Sequence, residues 1–187
     1  MNILLKKNAP AGLVTNVNLE LNLVRKVLAL KKQQHYVNGI VNMDELQTSM
    51  KVVLANTYAM YFKAQGHHWN VEGKDFSQMH DFFAGIYEEL IAAIDKIAEE
   101  IRALDEYAPY NMSELASMTT IKESSIFGVD VSGMLSDLID ANGSVIEALN
   151  EAHKLADADS NRGLVNLIEE RLDVHAKHAW MLRATSK

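Results

Sequence analysis

Residues that can bind a metal are concentrated between positions 67 and 101 of this 187-residue chain. His68 and His80 flank the start of a long apolar repeat, and Asp95 and Glu99 lie towards its end. Imidazole nitrogens and carboxylate oxygens are ligands that transition metals accept in proteins. The four side chains therefore predict a metal site, provided that they can share one.

The two acidic residues are four positions apart, so a helix places Asp95 and Glu99 on one face, one turn from each other. Acidic pairs with this spacing usually belong to solvated helix surfaces. This pair lies among Ile94 and Ile97, and we expect it at the edge of the apolar stripe, with Glu100 more exposed. A carboxylate on a buried edge needs a partner, and a metal is one.

The spacing between the histidine and the acidic pair limits how they can meet. His80 precedes Asp95 by 15 residues, which is about 22 Å along a helix. One metal ion cannot bind both within a single chain. Either they belong to different sites, or two chains share a site, with His80 of one chain facing Asp95 and Glu99 of the other. Two such helices packed antiparallel across a two-fold axis would carry two equivalent sites.

A di-iron site inside a single bundle would need a different pattern. Such sites use Glu-x-x-His motifs on two helices, and the chain contains none. His175 and His178 are three residues apart, but neither has a glutamate three residues before it. The sequence therefore disfavours an intrachain di-iron site.

Four long helices must position these residues. Apolar residues recur at intervals of three and four, and the pattern predicts helices at about 43–66, 76–104, 132–156 and 162–184. Asn42 or Asp44 would cap the first helix, Gly66 would lie near its end, and Asp75 would cap or begin the second. The long connection over 105–131, with a short helix near 113–118, is typical of a crossover rather than a tight turn. The predicted fold class is all-α, a four-helix bundle.

The first 42 residues do not follow this pattern and are predicted to be an N-terminal extension of uncertain structure, with the bundle domain at 43–187. Within the extension, a short strand and a short helix are both compatible with the apolar spacing. Arg25, Lys26, Lys31 and Lys32 form a basic patch. This patch is either a solvated helix face or a local contact for DNA.

The composition limits the classes of function. A formal net charge of −7 argues against DNA binding over the whole surface. The absence of cysteine excludes a thiolate metal site and a cysteine nucleophile. No apolar run reaches the roughly 18 residues of a membrane span, and none near the N-terminus suits a signal peptide. We therefore expect a cytoplasmic protein that does not bind membranes.

The metal-ligand stretch resembles the Dps family, the dodecameric miniferritins named for DNA protection during starvation. The similarity extends from about Leu46 to the C-terminus, including Trp180-Met181-Leu182-Arg183. Its most specific part is His68-Trp69-Asn70-Val71-x-Gly73-x-x-Phe76-x-x-x-His80, followed by Tyr87-x-Glu89-Leu90 and then Asp95-x-Ile97-Ala98-Glu99.

The resemblance implies a ferritin-like four-helix bundle with a short helix in the crossover between the second and third long helices. It also implies a hollow homododecamer with ferroxidase sites at two-fold interfaces. His68 and His80 of one subunit and Asp95 and Glu99 of the next would bind Fe(II). Iron would be oxidised to Fe(III), preferably by hydrogen peroxide, and stored as ferric mineral without an organic cofactor, which protects against oxidative damage.

This chain departs from the family pattern at several positions. Many relatives carry an acidic residue where Ala84 stands, so a second iron would need Asp81, Glu88 or water instead. His67 is a possible extra ligand that we expect either to support the site without binding metal or to be exposed. Glu100 replaces an arginine found in many relatives.

Further expectations concern the two tryptophans and the alternative functions. Trp69 would either quench radicals near the iron or simply pack, whereas Trp180 would pack. One alternative function is a non-specific DNA-compacting protein of the Dps type with a secondary metal site. Another is a cage whose site, because of Ala84, prefers zinc or has lost oxidation.

Overall fold

The computed structural model describes residues 43–124 and 130–187. In these ranges every regular element is a helix, which confirms the predicted all-α fold class. The extension at 1–42, with its basic patch, lies outside the described residues, so its boundary and role remain predictions. No helix in the described part is long and apolar enough to cross a membrane. The helices are α1 (Met43–Asn70), α2 (Phe76–Ala103), α3 (Met112–Met118), α4 (Val131–Ala158) and α5 (Arg162–Thr185).

Side-chain caps define where three of the helices begin. The side chain of Asp130 accepts a hydrogen bond from the backbone N–H of Gly133 at 2.9 Å, and Asn161 accepts one from Leu164 at 3.2 Å. Asn111 caps α3 in the same way. These acceptors satisfy backbone N–H groups that have no partner inside the first turn of a helix.

The end of α1 differs from the sequence prediction. The helix continues four residues beyond Gly66 to Asn70, because glycine in a helix lowers stability without stopping it. The turn comes at Gly73, whose φ of +109° is a conformation that residues with a Cβ rarely adopt. This turn brings the start of α2 beside the end of α1. Asp75 precedes α2 at the cap position, but its side chain makes no capping hydrogen bond.

The four long helices pack as a bundle. α1 packs against both α2 and α4, and α4 packs against α5. The long connection through α3 carries the chain from the end of α2 to the start of α4. Each large apolar side chain that is fully buried stabilises the fold by about 1.5–3 kcal/mol. The largest are Leu46, Met50, Leu54, Met60, Phe83, Ile86, Leu90, Ile97, Ile101, Leu135, Leu138 and Leu149.

A polar cluster lies within this apolar core, between α2, α4 and α5. The buried guanidinium of Arg171 on α5 forms a two-pronged ion pair with Glu89 on α2, and one of its prongs measures 2.9 Å. The side chain of Arg171 also contacts Nε2 of His175 at 3.3 Å. His175 is bonded through Nδ1 to the side-chain oxygen of Asn142 on α4 at 2.7 Å. His178 lies 4.0 Å from Glu89.

Burial controls the protonation of the two histidines in this cluster. It lowers the pKa of His175 well below 6.5, and the charge of Arg171 adds to the effect. Burial also lowers the pKa of His178, against the opposing influence of Glu89. Both imidazoles are therefore neutral in the folded protein at neutral pH.

This cluster predicts that acid weakens the fold. Below pH 6.5 the unfolded chain binds more protons at both histidines than the folded chain does, so stability is complete above this pH and decreases as the pH falls. Each neutral buried histidine contributes a slope of about 1.4 kcal/mol per pH unit. Urea unfolding between pH 7.5 and 5.5 measures the slope. His175→Gln should reduce the slope by up to about 1.4 kcal/mol per pH unit, because it removes one of the two histidines. An equal slope in the parent and in this variant would contradict the assignment.

Candidate metal centre

The two histidines of the predicted site lie side by side where α1 ends and α2 begins. His68 is in the last turn of α1, and His80 is in the second turn of α2. Their rings stack with centroids 3.6 Å apart and planes inclined by 25°. The turn at Gly73 makes this possible, because it reverses the chain within five residues.

A reciprocal pair of hydrogen bonds fixes the orientation of both rings. Nδ1 of His68 donates to the backbone carbonyl of His80 at 2.8 Å, and Nδ1 of His80 donates to the carbonyl of His68 at 2.8 Å. A carbonyl oxygen can only accept, so each Nδ1 carries a proton, and each neutral ring keeps its lone pair on Nε2. Metal-binding histidines in proteins are commonly held by such a hydrogen bond through the other ring nitrogen.

Aromatic side chains enclose the histidine pair. Phe76 stacks on the other side of His80 at 5.0 Å between centroids, and Tyr87 meets His68 edge-on at 5.1 Å. Both histidines are half-buried. The pair is thus held rigidly while remaining partly accessible, which suits ligands that receive a metal from solution.

The acidic pair lies at the other end of α2 and is exposed. Asp95 and Glu99 both face solvent in the single chain, whereas Glu100 is half-buried. The expectation that the pair occupies the buried edge of the stripe, with Glu100 more exposed, is therefore wrong for one chain. The reason is the rotation of the helix about its axis. Ile94 and Ile97 face the core, and this orientation directs the acidic pair towards solvent.

One outward face of α2 nevertheless carries all its predicted ligands. His80, Ala84, Ile91, Asp95 and Glu99 follow one another at helical spacing. Ile91 lies between the two ligand groups and is 44% exposed in the single chain. In the described part of the chain, no three histidine or acidic side chains form a group that could hold a metal. The structure brings His68 and His80 together and leaves the acidic pair apart from them.

His67, the neighbour of His68, is buried and does not face solvent. It is 4% exposed, so the expectation of an exposed side chain is wrong. Its Nε2 is bonded to a carboxylate oxygen of Asp137 on α4 at 2.9 Å. Lys63 and Ser124 also donate to Asp137, each at distances near 2.9 Å. His67 therefore ties the last turn of α1 to α4.

Hydrogen bonding keeps this carboxylate ionised. Burial by itself would raise the pKa of Asp137, but the bonds from His67, Lys63 and Ser124 outweigh it and lower the pKa to about 2. The resulting cluster fixes the last turn of α1 against α4. Sequence reasoning missed Asp137, because it lies 70 residues from His67 in the chain and no local pattern links them.

Both tryptophans are exposed in the single chain. Trp69 is 65% exposed and Trp180 is 62% exposed. The packing predicted for Trp180 is therefore not found within one chain, and the same holds for the packing alternative at Trp69.

The sequence analysis did not predict the ion pair between Arg171 and Glu89. Arg171, His175, His178 and Leu182 follow a spacing of four, three and four residues. That spacing places them on one helix face. It could have predicted that the two histidines point into the core.

Comparison with known proteins supports the fold and the resemblance. Residues 50–187 match the family described as the Ferritin-like domain. The chain is 30% identical over 144 residues to General stress protein 20U of Bacillus subtilis, covering 75% of this chain and 97% of that protein. It is 29% identical over 134 residues to the DNA protection during starvation protein of Brevibacillus brevis, covering 70% of this chain and 87% of that one.

A solved structure of similar shape agrees with these matches. The crystal structure of the Dps protein from Vibrio cholerae O1 superposes with a TM-score of 0.74 at 28% identity, covering 78% of this chain and 91% of that one. That protein is described as a member of a broad superfamily of ferritin-like diiron-carboxylate proteins. The family match, the named relatives and the shared bundle together establish that this chain belongs to the Dps family of ferritin-like proteins.

Proposed function

We propose that this protein is a ferroxidase and iron store, in which Fe(II) is the substrate and a ferric mineral is the product. Its sites lie between two copies of the chain. His68 and His80 of one copy and Asp95 and Glu99 of the other are the metal ligands and the catalytic residues. Twelve copies would enclose the mineral in a hollow shell in the cytoplasm, and the oxidation would protect the cell from oxidative damage.

The observation that carries the proposal is the locked histidine pair. Two half-buried imidazoles with their Nδ1 protons donated to carbonyls hold both Nε2 lone pairs ready for a metal. Two nitrogen ligands leave a coordination sphere incomplete. Carboxylates complete the sphere of non-haem iron sites that react with oxygen species.

The geometry of α2 supports a two-chain site. Asp95 lies about 22 Å from His80 along the helix, so only another copy can supply its carboxylate to the pair. In an antiparallel two-fold pairing of α2 helices, the crossing point falls midway between the ligand groups, near the exposed Ile91. Small residues at Ala84 and Ala92 would let the two helices approach closely there.

The reaction requires two electrons for each peroxide. Two Fe(II) ions each lose one electron, the O–O bond of hydrogen peroxide breaks, and both oxygens are reduced to the level of water or hydroxide. Hydrolysis of the two Fe(III) ions then releases protons as the mineral forms. When a second Fe(II) reaches the site while the first is bound, peroxide takes an electron from each, and free hydroxyl radical is not released. We infer that peroxide is the preferred oxidant, and comparing the oxidation rate with peroxide and with oxygen tests this.

Mixing two inactive variants tests the shared site. His68→Ala/His80→Ala and Asp95→Ala/Glu99→Ala should each reduce Fe(II) oxidation at least tenfold, since loss of outer partners of a ligand alone costs about 10–100-fold. When the two variants are refolded together at equal amounts, half of the two-fold pairs are mixed, and each mixed pair contains one complete site and one without ligands. Ferric absorbance should recover to about a quarter of the parent rate.

A His153→Ala variant serves as the control and should oxidise iron at the parent rate. Full activity in either double variant would show that the ligands are wrongly assigned. If the two double variants assemble together but the mixture stays inactive, the ligands do not come from two chains.

Ala84 limits the number of metals at each site. The residue lies one turn after His80, on the ligand face, and its methyl group cannot bind iron. Ala84→Asp should raise tightly bound Co(II) from about one to about two per chain, because it adds a carboxylate at that turn. Ala116→Asp adds the same charge at an exposed position on α3, away from the ligands, and should bind no more than the parent. Two Co(II) ions already present in the parent would mean that Asp81, Glu88 or water completes the second position.

DNA compaction is a second candidate function, supported by the name of a relative, the DNA protection during starvation protein of Brevibacillus brevis. The overall charge of −7 opposes it, so any binding would depend on the basic patch of the extension. Gel shifts at about 50 mM salt, where electrostatic binding is strong, test the idea. Replacing the four basic residues by alanine should abolish the shift. A parent protein that does not shift DNA under these conditions would remove this function.

A further inference from the structure

The polar cluster in the bundle core contains ligand types that the proposed iron chemistry does not use. Glu89 on α2 and His175 and His178 on α5 surround the guanidinium of Arg171. One carboxylate and two imidazoles are a ligand set that zinc and non-haem iron both accept. The place where a metal would lie is taken by a side chain that carries a permanent positive charge.

His175 is held in the form that a metal would require. The amide nitrogen of Asn142 donates to the backbone carbonyl of His175 at 3.0 Å, which leaves the amide oxygen to accept from Nδ1 of the same residue at 2.7 Å. Nε2 therefore keeps its lone pair and directs it at Arg171, 3.3 Å away. Metal-binding histidines are typically anchored by the opposite ring nitrogen in this manner.

The cluster is incompletely satisfied as a purely structural ion pair. Nε of Arg171 and Nδ1 of His178 are buried and have no hydrogen-bond partner. Most buried polar groups in proteins are paired, because an unpaired one lowers stability. The backbones of α2 and α5 also approach each other less closely than the other neighbouring helices of the bundle, so long side chains bridge the space.

Ferritin-like di-iron proteins bind metal inside the bundle, through carboxylates and histidines that project inwards from the helices. This chain has that fold, but among its described residues no three histidine or acidic side chains form a group that could hold a metal. In the core, the guanidinium of Arg171 lies against Glu89 and His175. We propose that Arg171 is a built-in cation that closes the bundle core to metal, and that Glu89, His175 and His178 form a latent divalent-metal site which loss of its charge opens.

The proposal separates two places where the fold could hold iron. Arg171 keeps divalent metal out of the core of each chain, so that Fe(II) is left to sites on the outer face of α2. The core assignment rests on Glu89, Arg171 and the two core histidines alone. It therefore stands or falls independently of the shared site at His68 and Asp95.

Co(II) binding to full-length variants tests the proposal. Arg171→Ala and Arg171→Gln remove the charge, whereas Arg171→Lys keeps it and is the matched control. Each neutral variant should bind about one more Co(II) per chain than the parent, with visible d–d absorption from a nitrogen- and oxygen-ligated ion. Arg171→Lys should bind no more than the parent. Adding Glu89→Gln to Arg171→Ala should abolish the extra ion and its absorption.

Stability gives a second measurement on the same proteins. Zn(II) should raise the thermal midpoint of Arg171→Ala by more than it raises that of the parent or of Arg171→Lys, because metal binding stabilises the folded state. Folded neutral variants that bind no additional Co(II), or a lysine variant that binds as much as they do, would overturn the proposal. Failure of both neutral variants to fold even when refolded with Zn(II) would overturn it as well, because a functional site would restore the core.

Discussion

A rigid helix sets the central constraint on this protein. The inward face of α2 is packed into the core along its whole length, from Phe83 to Ile101, so the helix cannot bend to bring its two ends together. His80 and Asp95 are therefore kept about 22 Å apart. For that reason the histidine pair needs carboxylates from another copy, and assembly becomes a condition for the proposed chemistry rather than an addition to it.

The surroundings of the histidine pair explain how one end of α2 is prepared for metal. The reciprocal bonds between His68 and His80 fix both rings, and the buried contact of His67 with Asp137 fixes the last turn of α1 against α4. Two adjacent histidines therefore have different roles: His67 fixes α1 to α4, and His68 is a proposed metal ligand. Successive residues on a helix point about 100° apart, so His67 faces the bundle while His68 faces the next helix.

The bundle core shows the same ligand types in a different electrostatic setting. Glu89, His175 and His178 lie around a guanidinium, and burial keeps the histidines neutral. His68 and His80 donate hydrogen bonds from Nδ1 to backbone carbonyls and keep the Nε2 lone pair free, whereas His175 directs Nε2 at a cation. Ligand identity alone does not decide where metal binds. In the core, the positive charge of Arg171 lies where a metal ion would bind.

The sequence by itself determined the fold class, the four long helices and the ligand types, because apolar spacing and side-chain chemistry are local properties. It also determined that one helix separates His80 from Asp95, since helix length follows from residue number. Only the tertiary structure decided that α1 passes Gly66, that Asp95 and Glu99 are exposed, that His67 pairs with Asp137, and that Arg171 lies between Glu89 and His175. Helix phase, and contacts between residues 33 to 82 positions apart, depend on how the helices pack, and no local pattern encodes that packing.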